Sequence, residues 1–168
     1  MKTWMLLTGL AFAAALGLTI AQNPPAQPQP QARLTIAQVL AADPEFSTLL
    51  RALRAAGLEE TLSEPGSLTL LAPNNAAFEK VPPTLMEQLM ANRPVLTEVL
   101  RNHMARSRLS AQEVAAEPTL PTLAGSQLPV AASGTSLKVG PATVTRPDIP
   151  AANGVIHVID TVILPRSN

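Results

Sequence analysis

Residues 153–165 read Asn153-Gly154-Val155-Ile156-His157-Val158-Ile159-Asp160-Thr161-Val162-Ile163-Leu164-Pro165, and this stretch carries the clearest structural signal in the chain. Asn-Gly is a hairpin-turn dipeptide, and the β-branched and apolar residues after it read as a strand. Side chains alternate along a strand, so Val155, His157, Ile159, Thr161 and Ile163 share one face. Ile156, Val158, Asp160, Val162 and Leu164 share the other. His157 and Asp160 therefore point apart and do not make a catalytic dyad. Both faces are mostly apolar, as in a strand covered on two sides. Asp160, if enclosed, needs a backbone N–H or an arginine as partner. The thirteen residues are expected to build the fold rather than to perform chemistry.

Composition narrows the function classes. A chain of 168 residues suits one domain with a substantial core. Lysine plus arginine and aspartate plus glutamate number 12 each, so no basic field exists to attract nucleic acid. Arg101, Arg106 and Arg108 form the nearest thing to a basic patch, and a solvated helix end explains them equally well. Beyond Trp4 and Phe12 near the N-terminus, Phe46 and Phe78 are the only aromatic rings, which argues against base or sugar stacking. Cysteine is absent, so disulfides, thiolate metal sites and a cysteine nucleophile are excluded.

Residues 1–21 read as a secretory signal: Lys2, an apolar run from Leu6 to Ile20, then small residues around a cleavage point after Ala21. No cluster of lysine or arginine follows, which favours cleavage over retention as an anchor. Residues 22–32, QNPPAQPQPQA, read as an extended proline-rich spacer or a disordered mature N-terminus. A single domain is expected over 33–166. The destination is extracytoplasmic, in a periplasm, at a cell surface or secreted, with no integral membrane domain after signal cleavage.

Within that domain Thr35 can cap a short helix over Ile36–Ala41. Asp43-Pro44 can start another, carrying Phe46, Leu49, Leu50 and Leu53 to a stop at Gly57. Leu68–Ala72 reads as a strand, and Asn75 as the cap of a further short helix. Pro82–Ala91 and Pro94–Ala105 read as two more helices, and Ser110-Ala111-Gln112-Glu113 is a capping box opening another. From Leu120 onward, short segments rich in Val, Thr and Leu are broken by Gly125, Gly134 and Gly140-Pro141, as in consecutive strands. Helices first and strands later indicate an α+β fold.

Three blocks resemble the fasciclin domain, an extracellular adhesion and interaction module. Thr69-Leu70-Leu71-Ala72-Pro73-Asn74-Asn75-Ala76-Ala77-Phe78 resembles its first homology block, with Leu71 in place of the usual phenylalanine. Asn102-His103 followed by Leu109-Ser110-Ala111 resembles its middle block, with Asn102 in place of the usual tyrosine. Residues 153–165 resemble its last block almost throughout, and Pro121–Gly125 and Asp148-Ile149 fall between the blocks where the family places them. The resemblance covers about residues 34–165. It implies a compact wedge, a β-sandwich-like sheet region packed with several short helices, in which Thr69, Ala72, Pro73, Asn75, Phe78, Asn153, Gly154, His157 and Asp160 serve as structural motif residues. It also ties the Tyr-His position to integrin-type adhesion in animal members, a role that Asn102 weakens here.

No sequence motif nominates an enzyme: His-Glu-x-x-His, Gly-x-Ser-x-Gly, a P-loop and a dinucleotide glycine run are all missing. No catalytic residue, metal site or cofactor is assigned. His103 is expected on the apolar side of its helix, hydrogen-bonded across the core. The better functional candidate is Arg146-Pro147-Asp148-Ile149-Pro150, where flanking prolines should give a stiff exposed loop. The resemblance associates a Pro-Asp-Ile segment here with receptor contact in some adhesive members. The alternative is that Asp148 and Ile149 merely lead into the last strand. Asn102, His103 and Arg106 form a second candidate surface. Two function classes follow. One is an exported, monomeric adhesion or matrix/envelope interaction module with a protein or surface partner, and the other is an extracytoplasmic binder of an apolar small molecule in a cleft between helices and sheet.

Overall fold

The computed structural model describes residues 34–165; the signal, the spacer and both domain boundaries lie outside the described residues. Six helices and seven strands follow in the order α1 (Ile36–Ala42), α2 (Ser47–Ala56), β1 (Leu68–Pro73), α3 (Asn75–Glu79), α4 (Pro83–Ala91), α5 (Arg93–Asn102), β2 (Met104–Ala105), α6 (Ala111–Ala116), β3 (Thr119–Pro121), β4 (Gln127–Ser133), β5 (Ser136–Val139), β6 (Ala142–Ala151) and β7 (Gly154–Ile159). A single 3-10 turn, Pro44–Phe46, precedes α2. The fold is α+β.

β7 is the organising strand. It pairs in parallel with β1, from Leu68 opposite Gly154 to Pro73 opposite Ile159, and antiparallel with β6. The sheet order is β2-β1-β7-β6-β5-β4-β3, mixed because only the β1–β7 pair is parallel. All six β7 residues are buried, as expected for a strand covered on both faces. Leu70, Ala72, Ile156 and Val158 face the helical core, with Leu49, Ala52 and Leu53 of α2 and Leu96, Val99 and Leu100 of α5. Those helical positions recur at three- and four-residue spacing, the stripe that buries one helix face. Leu71 and Ile159, from the opposite face, meet Leu128, Leu137 and Val139 of the far strands in a second core. The sheet thus curls back on itself, sandwich-like. Leu123 N–H donating to the Met104 carbonyl at 2.7 Å brings the segment after β3 against β2, which nearly closes it.

Most caps match expectation. Thr35 and Gln38 form a capping box on α1, Ser110 and Glu113 another on α6, and Gly57 ends α2 at φ 73°. Four features differ. Asn74, not Asn75, caps α3, its side chain accepting Ala77 N–H. Asn75 instead reaches back to α2, accepting Thr48 N–H at 3.2 Å and donating to the Pro44 carbonyl, because Phe46 before α2 supplies no side-chain cap. The helix expected to reach Ala105 stops at Asn102. There Met104 and Ala105 bury themselves by pairing with Leu70 and Thr69 of β1, and that ladder outweighs helix continuation. Finally β7 ends at Ile159; beyond it Asp160 N–H donates to the Thr143 carbonyl at 3.1 Å, and its carboxylate accepts Thr143 N–H at 2.9 Å.

The Asn153-Gly154 pair lies at the expected hairpin but works differently. Ala151 pairs with Gly154, so the turn residues are Ala152 and Asn153. Gly154 has no positive φ; a Cβ there would overlap the Leu68 carbonyl oxygen of the parallel neighbour. Asn153 is 3 % exposed and ties three segments together. It accepts Ile36 N–H at 2.9 Å and donates to the Leu62 and Glu64 carbonyls at 2.8 Å each.

Candidate functional site

Residues 146–150 are not a free loop: they lie inside β6, interrupted by register shifts between Val144 and Arg146 and between Arg146 and Ile149. This bulge holds Asp148 at φ 56°, a left-handed conformation that aspartate tolerates better than branched residues do. Pro147 and Asp148 are exposed, whereas Ile149 is half-buried and packs on the helical core. Asp148 is held from two sides. Its N–H donates to His157 Nδ1 at 3.1 Å, and its Oδ1 accepts Ala111 N–H at 2.8 Å, satisfying the first turn of α6. Oδ2 has no partner among the described residues. Beside it, Arg146 Nη2 bridges Asp43 at 3.1 Å and Glu45 at 3.2 Å, half-exposed pairs worth little to stability.

Both histidines are fully buried, and both ring nitrogens of each are occupied by main-chain groups. His157 Nδ1 accepts from Asp148 N–H, so its Nε2 carries the proton and donates to the Leu109 carbonyl at 2.9 Å. His103 has the opposite arrangement. Its Nδ1–H donates to the Val99 carbonyl at 2.7 Å, and Nε2 accepts Ile163 N–H at 3.0 Å. Burial lowers the His103 pKa to about 4 although the Val99 carbonyl favours the charged form. Burial likewise lowers His157, against the opposing pull of the Leu109 carbonyl and the Asp148 charge. Neither ring has a lone pair free to bind a metal. Among the described residues no three histidine, aspartate or glutamate side chains are grouped to hold one.

The second candidate surface does not assemble as expected. Asn102 is 2 % exposed and His103 is fully buried, because both follow the apolar face of α5 into the interior; only Arg106 reaches solvent. Arg106 shares a hollow of about 210 Å³ with Arg101, Thr61 and Met104. Thr69, also fully buried, accepts Leu109 N–H at 2.9 Å and donates to the Ser107 carbonyl, pinning residues 107–109 to β1. Asp160 is partly exposed. Burial opposes its charge, but Thr143 N–H, the Thr161 hydroxyl and Lys80 outweigh that and hold its pKa below the usual range. Its charged partner is a lysine rather than an arginine.

Sequence reasoning missed the bulge and the cross-ties to main-chain groups far along the chain. The positive φ at Asp148 had one local signal, a short polar residue between prolines.

The model of the fasciclin domain matches residues 44–165. This chain belongs to the fasciclin family. It is 38% identical over 133 residues to the pig transforming growth factor-beta-induced protein ig-h3, a match covering 79% of this chain and 20% of that protein. The chain therefore spans about a fifth of that relative's length. With protein sll1483 of Synechocystis it shares 40% identity over 134 residues, 79% of this chain and 74% of that one. The FAS1 domain pair of the insect cell adhesion molecule fasciclin I has the same fold, with a TM-score of 0.66 at 20% identity over 79% of this chain and 51% of that chain. Thr69, Asn153, Gly154 and His157 are the buried ties and close approaches described above. No described helix is long and apolar enough to cross a membrane.

Proposed function

We propose that this fasciclin domain is an exported, non-enzymatic adhesion or matrix/envelope interaction module, and that its contact surface is the bulge at Pro147-Asp148-Ile149. One observation carries this proposal: an exposed aspartate held at φ 56° between Pro147 and Pro150 by two hydrogen bonds, with one carboxylate oxygen unpartnered among the described residues. A strained, over-determined exposed residue is a contact candidate, and its rigidity lowers the ordering cost of binding. The free oxygen can accept a charge-assisted hydrogen bond from a partner. Support from likeness is general, since the solved fold neighbour is described as a cell adhesion molecule.

Half-burial limits Ile149 to a supporting role, so the test uses Asp148→Asn. Asparagine also tolerates left-handed backbone and keeps the acceptor for Ala111 N–H, so only the charge is removed. Adsorption of the protein to immobilised envelope or matrix material should weaken by about tenfold, the equivalent of ~1.4 kcal/mol. Unchanged adsorption with an unchanged melting curve would move the contact elsewhere, first to the exposed face around Arg106. Export has its own check. Trp4 is the only tryptophan and tyrosine is absent, so protein cleaved after Ala21 should absorb almost nothing at 280 nm.

A further inference from the structure

A cleft of about 680 Å³ lies between the end of α5, the turns flanking β4 and β5, and residues 161–165. It includes none of Pro147, Asp148 or Ile149. Its volume is in the range of small-molecule sites. Leu128, Pro129, Val162 and Leu164 give it apolar patches between Ser126, Gln127 and Thr161, and Leu164 is one of the few large hydrophobic residues left exposed among the described residues, at 37 %. Asn102 sits against it at 2 % exposure, and Glu98, one helical turn earlier on the same face, stands exposed at its rim.

The Asn102 carboxamide is only half satisfied. Thr122 Oγ1 lies 3.2 Å from Asn102 Oδ1 and 3.0 Å from the Ser126 carbonyl oxygen. A hydroxyl has one proton to give. If it goes to Ser126, the amide turned over donates Nδ2–H to Thr122 and leaves Oδ1 without a donor. If it goes to Asn102, Nδ2 has no acceptor. In either orientation one amide atom lacks a partner among the described residues. No fully enclosed side-chain nitrogen or oxygen among the described residues lacks one, so the unpartnered atom keeps some exposure, and Asn102 lines the cleft. A partly satisfied carboxamide at the wall of a cleft that also carries apolar patches can orient a ligand.

We propose that this cleft binds a small neutral amphiphile, its apolar chain lying against Leu128, Pro129, Val162 and Leu164 and a hydroxyl group hydrogen-bonded to Asn102. A hydroxyl both donates and accepts, so it completes the carboxamide in either orientation. The head is uncharged for two reasons. Among the described residues no lysine or arginine lines the cleft to pair with an anion, and the Glu98 carboxylate repels one. A quaternary ammonium head can be drawn to Glu98 but has nothing to offer the amide.

The test is displacement of the neutral hydrocarbon fluorophore diphenylhexatriene from the protein by decanol, decanoate and decyltrimethylammonium. Decanol should displace it at a concentration at least tenfold below either charged analogue. Asn102→Leu should keep fluorophore binding and raise the decanol requirement about tenfold. Glu98→Gln, a change at an exposed site, should narrow the gap between decanol and decanoate to within about threefold; it serves as the deciding variant if circular dichroism shows that Asn102→Leu does not fold. Failure of the fluorophore to bind, equal or better displacement by a charged analogue, or decanol binding indifferent to both substitutions would overturn the proposal.

Discussion

Acid should loosen this protein well before its carboxylates protonate, and His103 should be the main cause. The ring is fully buried, and its two nitrogens hold the end of α5 to the segment after β7 through Val99 and Ile163. Protonation would put an N–H on Nε2 facing the Ile163 N–H. The folded-state pKa is accordingly about 4 against an ordinary 6.5, so between those values the unfolded chain binds a proton that the native state refuses. The stability contributed by neutral His103 is therefore complete above pH 6.5 and is lost as pH falls toward 4. At about 1.4 kcal/mol per pH unit the full loss is roughly 3 kcal/mol. His157, also lowered by burial, acts in the same direction. Asp160 and Glu113 have depressed pKa values, so their contributions fade only below the ordinary carboxylate range and leave this window to the histidines. Urea unfolding followed by far-ultraviolet circular dichroism at pH 7 and pH 4.5 should show a loss of about 2–3 kcal/mol. His103→Gln should start less stable at pH 7 and show a clearly shallower dependence. A flat wild-type profile across that interval, or an equal slope in the variant, would refute the assignment.

Other perturbations follow from the same contacts. Asn153→Ala orphans Ile36 N–H and two carbonyls at a buried site, and chemical denaturation should register a loss of about 2–4 kcal/mol. Gly154→Ala drives a methyl into the Leu68 carbonyl across the parallel β1–β7 pair, so the domain should lose several kcal/mol or fail to fold; a variant melting within a few degrees of wild type would mean the strands are farther apart. Asp148→Ala, unlike Asp148→Asn, loses the bond to Ala111 and keeps a left-handed residue without a polar side chain, so it should cost about 1–2 kcal/mol on thermal melting while the asparagine variant costs little.

How far these features could be read in advance depends on the range of the interaction. Thr35, Ser110 and Gly57 act within one helical turn, so their caps were legible from spacing alone. The doubly buried closing strand was legible because both of its alternating faces are apolar. Three judgements depended on distant partners and went astray. Whether Asn74 or Asn75 capped α3 turned on the vacant amide of α2, 27 residues away from Asn75. Met104 and Ala105 look helical until β1 is beside them. The segment at Asp148 looks like a loop because a bulge in a proline-flanked strand leaves no periodic signal. Asn102 illustrates the site-level limit: polarity and position suggested a surface, but the face of α5 it occupies carries it inward, to the wall of a cleft.

The two imidazoles provide the most direct check that the histidines of this chain hold the fold rather than act on a ligand. Long-range proton–nitrogen correlation spectra of uniformly ¹⁵N-labelled protein at pH 7 distinguish the two neutral tautomers of each ring. His103 should appear solely as the Nδ1–H form and His157 solely as the Nε2–H form, both slow to exchange, with His103 still neutral at pH 5.5 and His157 titrating below its ordinary value. A mixture of tautomers in fast exchange, or a ring that titrates near 6.5, would mean that the histidine is open to solvent and not bonded to the main chain on both sides.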